Sequence, residues 1–170
     1  GEYEKAQAGM AEFMKSYGST RAAQKARSLQ AELSVIGKPV PTTWGIEKWF
    51  QGEDQVDLKS GKTTLLVFFE EWCPHCKREV PKLQQVYTDL KDEGLQVVAL
   101  TRITKSATEE KVTAFLTETK VGYPVAKEDG TLSTAFSVSG IPAAAVIKGG
   151  KIVWRGHPSQ LTEDKLKSWL

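Results

Sequence analysis

Residues 65 to 76 read Leu-Leu-Val-Phe-Phe-Glu-Glu-Trp-Cys-Pro-His-Cys. The first five are an apolar run typical of a buried strand, and residues 77–93 then repeat apolar side chains at helical spacing. The chain's only two cysteines, Cys73 and Cys76, fall where this predicted strand gives way to the predicted helix. Unpaired N–H groups and the macrodipole at a helix N-terminus favour an anion, which here is a thiolate. Because the thiolate is the nucleophile of disulfide exchange, the stretch predicts a dithiol redox centre.

The same cysteine pair allows other interpretations. A structural zinc site needs four ligands, and only His75 and His157 remain to supply them, without metal-site spacing. A purely structural disulfide would close so short a loop that it would restrict the unfolded chain little. We therefore favour redox chemistry that needs no metal and no organic cofactor. A copper(I) metallochaperone that uses Cys73, Cys76 and His75 stays an alternative, because soft thiolates select that ion.

The composition fits a folded globular chain with no nucleic-acid footprint. Of 170 residues, 40% are hydrophobic and 26% are charged, and the formal net charge is only +2. No apolar run reaches the 18 or so residues that a membrane span requires. Gly1 in place of a methionine is consistent with the removal of a leader or membrane anchor. The cysteine usage fits either the cytosol or an oxidising compartment, because a catalytic pair is expected in both.

The N-terminal residues predict a helical extension over 1–36. Apolar side chains recur at spacings of three and four on both sides of Gly18, which predicts two helices, and Gly37 ends the second. A hairpin packed on the main domain is favoured over a self-association stripe of coiled-coil type. A non-enzymatic interaction domain that works through these helices is a third hypothesis. The proline-bearing linker 38–41 marks the boundary of a main domain over 37–170.

Within the main domain, strands at 65–69 and 96–100 flank a helix at 74–93 and form one βαβ unit with parallel strands. The other predicted elements are short strands or a hairpin around Val56 and Leu58, a helix opened by a capping box at Ser106 to Glu109 and ended by Gly122, an extended piece at 123–126, a short helix at 132–136, a hairpin of 143–147 with 151–155, and a last helix capped by Thr162.

From Gly37 to Leu170 the chain resembles the thioredoxin-like fold and, within it, the TlpA/ResA-like thiol-disulfide oxidoreductases. The resemblance rests on Gly37 to Pro41, on Val67 to Lys77, on the turn Ser139-Gly140-Ile141-Pro142 and on the hairpin after it. It implies an α/β fold with a central mixed sheet flanked by helices. It also implies exchange of disulfides with cysteine-containing proteins, a periplasmic or other extracytoplasmic location and a membrane redox partner.

The resemblance also assigns roles to individual residues. Pro142 would be cis and lie against the dithiol, and with Ile141 and Trp72 it would bind an extended substrate. Val67 stands where ordinary thioredoxins carry a buried aspartate, so the proton acceptor for Cys76 would be Glu79. We expect a bend near Pro81 to turn Glu79 toward the dithiol.

The dipeptide Pro74-His75 resembles that of DsbA-type oxidants. Here Cys73 attacks the substrate and Cys76 resolves the mixed disulfide, while His75 favours the Cys73 thiolate by charge or hydrogen bonding. The scaffold indicates reduction, whereas the Pro-His pair indicates oxidation or isomerisation. Glu70 and Glu71 either shape the approach of substrates or are ordinary solvated carboxylates.

Overall fold

A mixed six-stranded sheet with helices on both faces forms the body of the computed structural model, which describes residues 2–53, 56 and 61–170. The helices are α1 (Glu2–Tyr17), α2 (Arg21–Val35), α3 (Pro74–Leu90), α4 (Glu109–Thr119), α5 (Thr131–Ala135) and α6 (Glu163–Lys167). The strands are β1 (Ile46–Gln51), β2 (Thr63–Phe69), β3 (Leu95–Thr101), β4 (Val125–Glu128), β5 (Ala143–Lys148) and β6 (Lys151–Gly156). Their order across the sheet is β1-β4-β3-β2-β5-β6, in which β2, β3 and β4 are parallel.

Strand β2 is buried along its whole length because helices cover both faces of the sheet. Leu65, Val67 and Phe69 lie in a core cluster that includes residues of α3, α4 and α6. Leu66 and Phe68 alternate with them and lie in a second cluster with residues of α2 and α5. This two-sided burial explains why β2 is a continuous apolar run rather than an alternating one.

Helix α3 crosses one face of the sheet and connects β2 to the parallel strand β3. It buries Val80, Leu83 and Leu90 against the core. The helix continues through Pro81, although a proline in this position has no N–H to donate. The buried hydroxyl of Tyr123 donates to the carbonyl oxygen of Val80 at 2.7 Å, which ties α3 to the segment before β4.

The N-terminal helices form a hairpin that meets the main domain through α2. Val35 of α2 is buried in the core, whereas α1 buries none of its residues. The buried guanidinium of Arg155 in β6 donates to the carbonyl oxygen of Phe136 at 2.9 Å and lies 3.8 Å from Glu32 Oε1 of α2. The predicted hairpin is therefore present, and the domain boundary between residues 36 and 37 stays a prediction.

Within the described ranges, no helix is long and apolar enough to cross a membrane.

The first strand differs from the prediction. β1 lies at Ile46–Gln51, and Val56 itself belongs to no strand; Leu58 and the other residues of the predicted strands or hairpin, 54–55 and 57–60, lie outside the described residues. Among the strands that the structure describes, β1 is an edge strand paired with β4 alone, in an antiparallel register interrupted by irregularities. A half-buried, irregular edge strand carries neither a continuous apolar run nor a clean alternation, and so gives little sequence signal.

The start and end of α4 also differ from the prediction. Its N-cap is Thr108, whose hydroxyl accepts a hydrogen bond from the Lys111 N–H at 3.2 Å, and the predicted cap at Ser106 is wrong. The backbone at Thr108 is extended, as an N-cap requires, and buried Ala107 precedes it. The helix ends at Lys120 in a left-handed conformation rather than at Gly122.

Replacing Thr108 by alanine should lower the free energy of unfolding by about 1 kcal/mol, because a first-turn N–H of α4 loses its acceptor. Ser106→Ala is the matched control and should change stability by less than about 0.5 kcal/mol. The contact of Ser106 with Lys111 uses its backbone carbonyl, which alanine keeps. Denaturant unfolding of the three proteins measures both changes. A larger loss for Ser106→Ala than for Thr108→Ala would contradict this assignment.

Candidate active site

Cys73 lies at the junction of β2 and α3, where it is the N-cap residue of the helix. Its N–H donates to the Glu70 carbonyl oxygen at 3.1 Å, and its own carbonyl oxygen accepts from the Lys77 N–H at 3.0 Å. The thiol caps no helical N–H. The sulfur therefore lies beside the positive end of the helix dipole, a setting that favours the thiolate.

Cys76 lies one turn further along α3 and is fully buried, whereas Cys73 keeps 5% of its surface exposed. Both are free thiols. Burial raises the pKa of the Cys76 thiol; a hydrogen bond with the Glu70 backbone opposes this rise, and the neighbouring Cys73 thiol adds to it. At neutral pH Cys76 is therefore a protonated thiol that must lose its proton before it can attack.

The peptide bond between Ile141 and Pro142 is cis, which confirms this part of the prediction. Pro142 is buried, and Ile141 is partly buried. The thiol of Cys73 donates to the Ile141 carbonyl oxygen at 3.7 Å. The turn before β5 thus lies directly against the Cys73 sulfur.

Trp72 is held in place from two sides. Its indole N–H donates to Glu70 Oε2 at 2.5 Å, and the Thr104 hydroxyl donates to the same carboxylate oxygen. On the ring face, Lys105 Nζ lies 3.4 Å from the ring centroid, a cation–π contact. The tryptophan before Cys73 is therefore fixed by the loop that follows β3.

His75 is exposed, and its Nδ1 lies 2.7 Å from Nη2 of Arg78. A guanidinium can only donate, so this hydrogen bond requires Nδ1 to carry no proton. His75 remains beside Cys73, and its predicted effect on the thiolate stays a prediction.

The three carboxylates predicted near the dithiol occupy different environments. Glu79 is partly buried on α3, where its carboxylate pairs with Lys82 Nζ at 3.1 Å, and its role as proton acceptor stays a prediction. Val67 is fully buried and supplies no acceptor. Glu71 is only 7% exposed, so a solvated carboxylate is the wrong description, and within the described residues its Oε1 has no hydrogen-bond partner. Glu70 holds Trp72 as described above.

A cavity of about 540 Å³ opens at Cys73. Its lining includes the predicted residues Trp72, His75 and Ile141, but not Cys76, Glu79 or Pro142. It also includes Arg102, Thr104 and Lys105 from the loop after β3, none of which was predicted. The sequence could have indicated these three residues, because β3 is predicted parallel to β2 and the ends of parallel neighbours meet at one edge of a sheet.

The geometry gives no support to a metal site. Among the described residues, no three His, Cys, Asp or Glu side chains are placed to hold a metal ion. In the arrangement observed, His75 turns one ring nitrogen toward Arg78. The structure therefore offers nothing to favour the copper(I) alternative over the redox interpretation.

The known proteins to which this chain is similar include thiol-disulfide oxidoreductases. The model of the AhpC/TSA family matches residues 36–155. The thiol-disulfide oxidoreductase ResA of Bacillus cereus is 33% identical over 141 residues, which cover 82% of this chain and 79% of that protein. The sporulation thiol-disulfide oxidoreductase A of Bacillus subtilis is 24% identical over 72% of this chain and 74% of its own length.

Solved structures give the same fold. The crystal structure of StoA from Bacillus subtilis superposes with a TM-score of 0.63 at 25% identity, covering 77% of this chain and 98% of that one. A thioredoxin-like protein solved in its oxidised form gives a TM-score of 0.67 at 24% identity over 78% of this chain and 94% of its own. These matches confirm the predicted thioredoxin-like fold, a mixed sheet flanked by helices with a helical N-terminus.

The fold and the dithiol at a helix N-terminus define a thioredoxin-like oxidoreductase. The chain belongs to the AhpC/TSA family, and it is a thiol-disulfide oxidoreductase related to ResA.

Alkylation of the reduced protein with iodoacetamide at neutral pH should modify Cys73 at least about tenfold faster than Cys76, since each unit of pKa changes the thiolate fraction tenfold. The rate at Cys76 should keep rising with pH beyond 9.0, the ordinary value for its thiol, without levelling off there, because burial raises its pKa. Peptide mapping by mass spectrometry locates the label. The single variants Cys73→Ser and Cys76→Ser give each thiol's rate alone, and a faster reaction at Cys76 would reverse the assignment.

Proposed function

We propose that this protein exchanges disulfides with cysteine-containing proteins, with Cys73 as the attacking thiol and Cys76 as the resolving thiol. The observation that carries the proposal is the unequal placement of the two sulfurs. Cys73 caps α3, opens onto the cavity and contacts the Ile141 carbonyl, while Cys76 is buried one turn away.

When the protein acts as a reductant, the disulfide exchange proceeds in two steps. The Cys73 thiolate attacks one sulfur of a substrate disulfide, so that a mixed disulfide forms and the other substrate sulfur leaves as a thiolate. Cys76 then loses its proton and attacks Cys73 Sγ, and the second substrate sulfur leaves. The substrate gains two electrons, and the protein ends with a disulfide between Cys73 and Cys76. Oxidation of a dithiol substrate is the reverse sequence.

Substrate binding in this proposal uses the residues around the cavity mouth. The Ile141 carbonyl oxygen accepts a hydrogen bond from the Cys73 thiol, and an N–H of an extended substrate segment would replace that thiol as the donor. Trp72 supplies an apolar wall whose orientation Glu70 and Lys105 fix. Pro142 follows Ile141 and keeps the turn beside the dithiol.

Glu79 is the proposed proton acceptor for Cys76. It is partly buried two residues before Pro81, and its only described partner is Lys82 on the same helix. Glu70 is the carboxylate to test beside it, because its negative charge contributes to the raised pKa of Cys76 and it lines the cavity.

We propose an extracytoplasmic location and a redox partner in the membrane, both by analogy with the TlpA/ResA-like proteins. Residues 1–36 are proposed to be an extension of the main domain and a surface available for self-association. The direction of net electron flow is set by the reduction potential of the Cys73–Cys76 pair. Equilibration with glutathione buffers measures it, and a potential below that of glutathione makes the protein a reductant.

Cys76→Ser should accumulate a mixed disulfide with a disulfide-bonded model peptide, because the resolving sulfur is absent. Cys73→Ser is the matched control and should trap little adduct, since the remaining thiol is buried and protonated. Non-reducing electrophoresis and mass spectrometry measure the adduct. Equal trapping by both variants would remove the assigned roles, and unchanged function without either cysteine would favour a non-enzymatic interaction domain.

Glu79→Gln should slow the resolution step by at least about tenfold and change its pH dependence, because a proton acceptor contributes factors of this size. Glu163→Gln is the matched control, since Glu163 also pairs with a lysine on its own helix, at 2.6 Å, far along the chain from the dithiol. Stopped-flow measurement of peptide reduction gives the rates. If both variants retain the original profile, Glu79 is not the acceptor, and Glu70 and then His75 are next to be replaced.

A further inference from the structure

Two cations stand on the wall of the Cys73 cavity without a carboxylate partner. Arg102 and Lys105 lie in the loop after β3, and both are exposed. Within the described part of the chain, neither side chain forms an ion pair with a carboxylate. Lys105 contacts the Trp72 ring, which leaves its positive charge uncancelled.

The carboxylates that line the same cavity accept hydrogen bonds from other groups of the protein. Glu128 is only 3% exposed, and its Oε2 accepts from the backbone N–H groups of Gly130 and Leu132 at 2.9 and 3.2 Å. Glu70 Oε2 accepts from Trp72 and Thr104. Both carboxylates therefore hold the walls of the cavity in place; Glu128 is buried and Glu70 is partly buried, whereas Arg102 and Lys105 are exposed.

A third cation stands beside the motif. Arg78 donates to His75, which also lines the cavity, so its guanidinium is held near the cysteines. An approaching segment therefore meets an apolar wall at Trp72 and Ile141 and positive charge at the rim. Such a surface favours an anionic partner and accelerates its association.

We infer that Arg102 and Lys105 select substrates in which acidic side chains flank the reacting cysteine. This inference rests on the proposed function, because it concerns which disulfides Cys73 attacks. Selection of this kind acts on the association and orientation of the substrate, while Cys73 and Cys76 supply the chemistry.

The test uses three peptides that differ only in the residues flanking one central cysteine, which are glutamate, glutamine or lysine. Each cysteine is supplied as a mixed disulfide with 2-thiopyridine, an uncharged leaving group in its thione form. Attack of Cys73 on the peptide sulfur releases pyridine-2-thione, whose absorbance reports the rate. At low ionic strength the glutamate peptide should react about five to ten times faster than the lysine peptide, and high salt should reduce this ratio toward one.

The variant Arg102→Glu with Lys105→Glu should invert the order of the glutamate and lysine peptides. Arg102→Glu alone leaves the Lys105 contact with Trp72 in place and should at least halve the ratio, which keeps the test valid if the double variant does not fold. Lys148→Glu makes the same change of charge at an exposed site in β5 outside the cavity lining and should preserve the order.

The outcomes separate this inference from the proposed function. Equal rates for all three peptides at low salt, or an order that survives both cavity variants, would overturn the selection by Arg102 and Lys105 while leaving the exchange activity intact. Failure of the protein to react with any of the peptides would instead overturn the proposed function.

Discussion

The junction between β2 and α3 is the constraint on which the site depends. The residue there must leave a fully buried strand, cap a helix and present a sulfur to substrates, and Cys73 does all three. Its N–H and its carbonyl oxygen are committed to Glu70 and Lys77, so the backbone leaves the side chain little freedom. The sheet also positions the turn that contains Ile141: Phe68 pairs with Ala143, the first residue of β5, in antiparallel register, so Ile141, which precedes β5, lies beside residues 70–73.

The same helix makes the two thiols unequal. A separation of three residues brings Cys76 to the side of α3 that packs on the core, while Cys73 stays at the open end. Burial raises the pKa of the Cys76 thiol and so keeps its proton in place. The same burial makes resolution depend on a base. A buried aspartate in β2 would supply one, but this chain has Val67 there, so β2 supplies no acceptor and the candidates are the proposed Glu79, Glu70 and His75.

Sequence patterns predicted the parts of this molecule that rest on local signals. The buried run of β2, the cysteine pair before α3 and the Gly149-Gly150 turn each carry their information within a few residues. Predictions from sequence patterns were wrong where contacts between residues far apart in the chain determine the local structure. β1 takes its place through pairing with β4, and Ser106 is as good a capping residue by type as Thr108, so only the packing of the loop decides between them.

Two different loops supply the reactive thiols and the exposed positive charges, and this separation has a consequence for substrate specificity. Reactivity arises at the end of β2, from the helix N-terminus and the cysteine pair, whereas the accessible charge arises at the end of β3. The parallel pairing of Phe69 with Thr101 brings these two ends to the same edge of the sheet, so Arg102 follows directly beside the active-site loop. Because Arg102 and Lys105 are exposed, their replacement would cost the fold little. The scaffold can therefore change which disulfides it accepts without changing how it exchanges them.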